Sequence, residues 1–241
     1  MPVEYQPIIS QERSVIPACD FESTPKLTSL ISATTGNPKI GGYKIGFDLV
    51  AEHGMVHVGL TARSCTNKPL IYDHQKGATD IPDMGRNMAQ KLKRGGFDAL
   101  ILFPQAGPET QSRWTKEAQD AGLGVFLGLH MTHPRFLVSE GGYIADDAPE
   151  RAFRQAVEEG VTNFILPGNK VEYVAKYCQL LTELCGPDNF AVAAPGFITQ
   201  GGEISEFTKA ITTKRWHAIV GSGIYKQEDM KAAAELVTSQ L

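Results

Sequence analysis

Asp73, Lys76 and Asp80 lie in "IYDHQKGATDIP", residues 71 to 82, at the exit of an apolar run that reads as a buried strand. Two carboxylates near each other at a strand end are costly unless a cation lies between them. Lys76 lies between them in sequence. A second lysine, Lys44, is embedded in "GYKIGFD", another apolar strand pattern, where it needs a carboxylate partner. An alternating chain of Lys44, Asp73, Lys76 and Asp80 satisfies every member and keeps the lysines protonated at neutral pH. Such a set delivers a proton to a developing carbanion. The plain alternative is an ion network that only stabilises the fold.

Other strand ends carry further candidates. The first apolar run ends in Asp20 ("VIPACDF"), and the fifth leads to His130, Thr132 and His133 ("LGLHMTHP"). The last two end in "AAPGFITQGG" and "VGSGIY", where Gly196, Gly201, Gly202, Gly221 and Gly223 let backbone amides approach an anion closely. Phosphate sites in barrel enzymes often use these two loops, although tight turns alone also explain glycines. His130 and His133, with Asp73 and His74 as possible neighbours, form only a weak metal pattern without cysteine or glutamate support. No Gly-x-Ser-x-Gly marks a serine nucleophile.

Short apolar runs alternate with longer amphipathic segments along the chain. Strands are expected at 15–19, 42–46, 70–72, 99–103, 124–128, 163–166, 190–193 and 218–220. Thr24 and Pro25 read as an N-cap and first-turn proline, with Gly36 as the stop, and Pro82 suits the first turn of another helix. Asp146, Asp147 and Pro149 open "ERAFRQAVEEG", in which Phe153, Ala156 and Val157 share a face and Gly160 ends the helix. "QEDMKAAAELVTSQL" supplies a terminal helix. Eight strand–helix units in 241 residues fit a (β/α)8 TIM barrel, with a doubly wound sheet as the competing arrangement. No linker divides residues 1–241, so one barrel domain is expected, with 1–13 as an N-terminal extension. The long segment 130–149 suits a lid.

A hydrophobic content of 42%, a charged content of 21% and a net charge of −4 suit a globular protein without a nucleic-acid or anionic-membrane partner. Cys19, Cys65, Cys178 and Cys185 are scattered, which favours free thiols in a reducing compartment. The N-terminus lacks the apolar stretch of a secretory signal, and no membrane-length apolar run occurs, so a cytoplasmic location is expected.

Taken together, the "DHQKGATDIP" segment, Asp20, "KIG" with Lys44, the "PGFITQGG" loop and the "VGSGIY" loop resemble, in order, the orotidine 5′-monophosphate decarboxylase family. The resemblance spans residue 14 to the C-terminus. It implies a (β/α)8 barrel and a homodimer that converts orotidine 5′-monophosphate to UMP and carbon dioxide without cofactor or metal. Carried over by residue, Lys44, Asp73, Lys76 and Asp80 are the charged tetrad, Asp80 coming from the neighbouring subunit and Lys76 protonating C6. Asp20 contacts ribose and Thr132 addresses the pyrimidine. Pro195, Gln200, Gly201, Gly221 and Ser222 belong to the substrate site, Gln200 and the amides of Gly201, Gly221 and Ser222 gripping the phosphate.

Three departures accompany the resemblance. The intervals from Asp73 to Lys76 and from Lys76 to Asp80 are each one residue longer, with Gly77 able to restore the lysine's aim. Ser222 stands where a phosphate-gripping arginine is expected, so Arg135 or Lys226 is the candidate replacement. Met84 stands where a threonine is common. Two rival functions follow. One is a Mg²⁺-dependent keto-sugar-phosphate decarboxylase or synthase of the same superfamily, disfavoured by a lysine rather than an acid on the second strand. The other is a non-catalytic nucleotide-binding relative.

Overall fold

The computed structural model describes residues 4–75, 80–197 and 204–241. Lys76, Gly77, Gln200, Gly201 and Gly202 lie outside them. Eight parallel strands follow one another around a closed barrel. They are β1 (Arg13–Cys19), β2 (Tyr43–Ile45), β3 (Leu70–Asp73), β4 (Ala99–Leu102), β5 (Gly124–Leu127), β6 (Asn163–Ile165), β7 (Ala191–Ala194) and β8 (Trp216–Val220). Every expected strand is present within a few residues. Closure through β1 and β8, from Arg13 opposite Trp216 to Pro17 opposite Val220, rules out the doubly wound sheet.

Side chains on a strand alternate between faces, and the barrel's packing follows that period. Ile16, Ala18, Ile71, Ile101, Phe126, Ile165, Ala193 and Ile219 form an interior cluster. Their neighbours Val15, Tyr43, Tyr72, Leu100, Leu127, Phe164, Val192 and Trp216 pack in the larger layer between strands and helices. Lys44 and Asp73 occupy inward positions on this pattern, which is why charged residues could be carried on strands that are otherwise apolar.

The helices are α1 (Thr24–Thr34), α2 (Phe47–His53), α3 (Met55–Arg63), α4 (Met84–Arg94), α5 (Pro108–Asp120), α6 (Ala148–Glu158), α7 (Val171–Cys185), α8 (Ile204–Ala210), α9 (Ser222–Tyr225) and α10 (Met230–Thr238). Two starts differ from expectation. Ser23 rather than Thr24 caps α1, its hydroxyl accepting the Lys26 amide hydrogen at 3.3 Å, and Thr24 and Pro25 fill the first turn. Pro82 precedes α4, which begins at Met84 after a turn in which the Met84 amide donates to the Ile81 carbonyl. In α6, Phe153, Ala156 and Val157 are buried as their spacing requires, and Gly160 turns the chain away at a φ of 81°. No helix among the described residues is long and apolar enough to cross a membrane.

Residues ahead of β1 close the floor of the barrel. Ile9 is buried, and Ile8 packs where a Cβ on Gly124 would stand only 2.5 Å from it. The Gln6 amide donates to Thr162 Oγ1 at 3.1 Å, and Asn163 Nδ2 donates to the Gln6 carbonyl at 3.0 Å. Inside this floor Ser14 Oγ and His217 Nδ1 share a hydrogen bond at 2.8 Å.

Segment 130–149 is pinned at His130 and Glu140. His130 Nδ1 meets Tyr177 Oη at 2.9 Å, and Lys170 Nζ stands 2.9 Å from Nε2. Glu140 Oε1 also faces Nε2 at 3.3 Å, so that nitrogen meets both a cation and a carboxylate, and the ring's tautomer decides which of them it bonds. Burial, reinforced by Lys170, pushes the His130 pKa down to about 4. Glu140 accepts from Lys170 and from the amides of Phe136 and Leu137. Burial opposes its charge, yet those donors hold its carboxyl down at about 2.

Burial likewise depresses the His217 pKa to about 3. The unfolded chain therefore takes up this proton first on acidification. Its contribution is fully present above pH 6.5 and is lost as pH falls toward 3, at about 1.4 kcal/mol per pH unit. Urea unfolding across that window is expected to show a shallower acid slope in His217→Asn than in the parent. Equal slopes would mean that His217 is not the residue titrating.

Candidate active site

A cavity of about 400 Å³ opens at the C-terminal ends of the strands. Asp20, Lys44, Asp73, Thr132, Pro195, Gly221 and Ser222 all line it. These are seven of the residues singled out from the sequence, contributed from six different strand ends or the loops beyond them.

Register explains the charged cluster. Lys44 is opposite Ala18 of β1 and opposite Ile71 of β3. Asp20 and Asp73 each lie two residues farther along those flanking strands, so both return to the inward face one step higher. A lysine stem spans that step. Its Nζ reaches Asp73 Oδ2 at 2.6 Å and Asp20 Oδ1 at 2.9 Å. Gly46 is required beside them, since a Cβ there would overlap Asp20 Oδ1. Asp73 is further fixed by accepting the Gln75 amide hydrogen on Oδ1 at 3.0 Å.

The Lys44 side chain is 6% exposed and that of Asp73 3%. Burial alone would lower the lysine's pKa, but Asp73 and then Asp20 outweigh it and hold the pKa above the usual lysine range. Lys44 is thus a fixed positive charge. Asp48 also lines the cavity, so its described walls hold three carboxylates against one ammonium. An anionic ligand entering here needs a further cation, and Lys76, the lysine expected there, lies outside the described residues.

Other expected positions fall elsewhere. Asp80 is exposed and does not line its own chain's cavity; its Oδ1 accepts the Ile81 amide hydrogen at 2.7 Å. Arg135 and Lys226, the candidate replacements for the arginine expected at Ser222, are exposed and do not line it. Among the described residues no three His, Cys, Asp or Glu side chains gather where they could hold a metal ion, and His133 Nδ1 lies 3.0 Å from the Pro134 carbonyl. Of the expected lid, Thr132 lines the cavity, while Tyr143, Ile144 and Ala145 line a separate groove of about 360 Å³ beside α5 and α6.

Gly196, at a φ of 109°, brings its backbone close to Asn169, whose Nδ2 donates to the Thr132 carbonyl at 3.1 Å. Asp48, Gln75, Phe197 and Tyr225 line the cavity without having been singled out. Asp48 could have been found, because it follows Gly46 by two residues at the same strand exit.

Removing Lys44 takes away the cation that Asp20 and Asp73 share. Lys44→Met is expected to cost about 3–5 kcal/mol of stability. Adding Asp73→Asn should recover part of that loss. Urea unfolding of the single and double variants checks the coupling, and additive losses would show that the pair is energetically unimportant.

The model of the orotidine 5′-phosphate decarboxylase / HUMPS family matches residues 13–237. A protein of Methanosarcina mazei named orotidine 5′-phosphate decarboxylase is 26% identical over 223 residues, 92% of this chain and 93% of its own. One of the same name from Pyrococcus furiosus is 24% identical, over 82% of this chain and 84% of its own. Among solved structures, orotidine 5′-monophosphate decarboxylase of Methanocaldococcus jannaschii, complexed with the inhibitor BMP, superposes with a TM-score of 0.80 at 19% identity, covering 95% of this chain and 98% of that one. KGPDC of Streptococcus mutans gives 0.71 at 16% identity over 95% and 97%. With the family pattern running from the first residue of β1 to within the last helix, the chain belongs to the orotidine 5′-phosphate decarboxylase / HUMPS family.

Proposed function

We propose that the protein decarboxylates orotidine 5′-monophosphate to UMP and carbon dioxide, without metal or cofactor, in pyrimidine synthesis. The observation that carries this reading is Lys44 held between Asp20 and Asp73 inside the strand-end cavity. It is a lysine where the keto-sugar-phosphate branch needs an acidic residue for its metal. In the reaction the C6–carboxylate bond breaks, its electron pair stays on C6, and a proton from an ammonium group quenches it. Lys44 is a poor donor, because two carboxylates hold its proton in place. Lys76 is the donor in this scheme. Lys44, Asp73 and Asp80 form the fixed charges around it, and no reorganisation of these charges is required as carbon dioxide leaves.

Asp20 contacts the ribose in this reading, Thr132 the pyrimidine, and Pro195, Gln200, Gly201, Gly221 and Ser222 the phosphate end. Asp20 thereby has two tasks, since it also neutralises Lys44. Phosphate binding remote from C6 orients the base, so its energy is realised in the transition state.

The active unit is a homodimer in which Asp80 serves the partner's cavity. Its exposure outside its own cavity supports this, as do exposed Ile81 and Met84 beside it, which suit a face covered by a second copy. Four free cysteines, three of them buried, fit a cytoplasmic setting.

Orotidine 5′-monophosphate absorbance is expected to fall rapidly with purified protein, equally with excess EDTA, and not at all with Lys76→Ala. No loss at high substrate would sink the assignment, and turnover of keto-sugar phosphates that needs Mg²⁺ would replace it. Sharing of Asp80 has its own check. Lys76→Ala and Asp80→Ala chains, each inactive, are expected on mixing and re-association to recover about a quarter of parental turnover, because half the dimers contain one intact site. Absence of recovery would place Asp80 in its own chain's site.

A further inference from the structure

Both Lys76 and Asp80 fall, in sequence, between His74 at the end of β3 and Ile81 ahead of α4. One face of α5 grips both ends of that stretch. Trp114 and Thr110, four residues apart and therefore on one side of the helix, are 2% and 3% exposed. Trp114 Nε1 donates to the Ile81 carbonyl at 3.0 Å, and Thr110 Oγ1 donates to the Asp80 carbonyl at 3.2 Å. The Trp114 ring also stacks on His74, with centroids 5.1 Å apart and planes 24° from parallel. His74 is itself held by its amide, which donates to the Ile101 carbonyl of β4 at 3.2 Å. On the far side Gly85 in the first turn of α4 lies against Trp114, where a Cβ would stand 3.0 Å from it.

One indole thus touches the residue after Asp73, the residue after Asp80 and the start of the next helix. Burial and packing alone account for an indole in this layer, but they do not require both polar groups of the α5 face to be aimed at consecutive backbone carbonyls. We propose that Trp114 and Thr110 are positioning residues for the proton-transfer machinery: they fix where the chain leaves β3 and where it re-enters at Asp80, and so set the placement of Lys76 in one site and of Asp80 in the partner's. The inference rests on the decarboxylase reading above. Displacements of about 1 Å in such groups cost on the order of a hundredfold in rate, so an anchor made of two hydrogen bonds and a stack governs turnover without touching substrate.

The test pairs kinetics with amide hydrogen exchange. Trp114→Phe keeps the stack and removes the N–H; Thr110→Val removes the hydroxyl donor. In each, kcat for orotidine 5′-monophosphate is expected to fall about tenfold or more, with KM within about threefold. Exchange over 74–85 is expected to rise while the other strands keep their protection. A merely structural role would lower the melting temperature and the folded fraction but leave kcat per folded molecule unchanged. If Trp114→Phe does not fold, Thr110→Val carries the same readouts alone. Unchanged exchange over 74–85 overturns the anchor, whatever the activity. Raised exchange with parental kcat overturns its role in positioning. A parent protein that leaves the nucleotide untouched overturns the function instead, and the exchange measurement keeps that failure separate from failure of the anchor.

Discussion

The contact of Lys44 with Asp73 and Asp20 is the constraint around which the barrel mouth is arranged. A lysine this deeply buried survives only with opposite charge at hydrogen-bond distance, and a buried Asp73 only with a cation. Each member makes the others tolerable. The demand propagates outward: β1, β2 and β3 must be in the observed register, Gly46 must lack a side chain, and Asp73 must be tied to the Gln75 amide. Three neighbouring strands are locked at one end by electrostatics, as they are along their length by packing.

The described cavity is polarised by this arrangement. On one side stand the carboxylates and the lysine; on the other, Pro195, Gly196, Gly221 and Ser222 offer backbone and a hydroxyl. A ligand with a charged reacting centre at one end and a phosphate at the other matches such a division. The pinned 130–149 segment contributes Thr132 between them, its carbonyl held by Asn169, which in turn borders Gly196. The walls are therefore connected to one another below the surface of the cavity and not only through a bound ligand.

Much of this was legible before any coordinates. Eight short apolar runs between amphipathic segments marked the strands, and the burial of Lys44 followed from its place in the apolar "YKIGF" pattern. Asp20 and Asp73 were visible at strand ends. What was not legible depended on distance between elements. Asp20 was expected only at a sugar, because nothing local shows that β1 and β2 align Ala18 with Lys44. The cap at Ser23 was misplaced by one residue since Ser-Thr-Pro offers two hydroxyls to the same turn. The anchors of the 130–149 segment, Lys170 and Tyr177, lie some forty residues from His130 and left no local signal. Nothing in the sequence singled out Trp114, since its hydrogen bond to Ile81 crosses between elements.

The floor of the barrel has a consequence for biosynthesis. Ser14 and His217, which meet there, are 203 positions apart, and β1 has β8 as one of its two neighbours. A nascent chain leaving the ribosome must hold β1 with one edge unpaired until β8, some two hundred residues later, has been made. During that interval the strand that presents Asp20 is a half-paired ribbon, and its exposed edge is a target for other chains. Completion of the catalytic mouth and sealing of the opposite end are thus the same late event. A truncated translation product lacking β8 would carry the charged residues of the mouth on an open sheet, and quality-control proteases would meet it as an unclosed edge rather than a damaged enzyme.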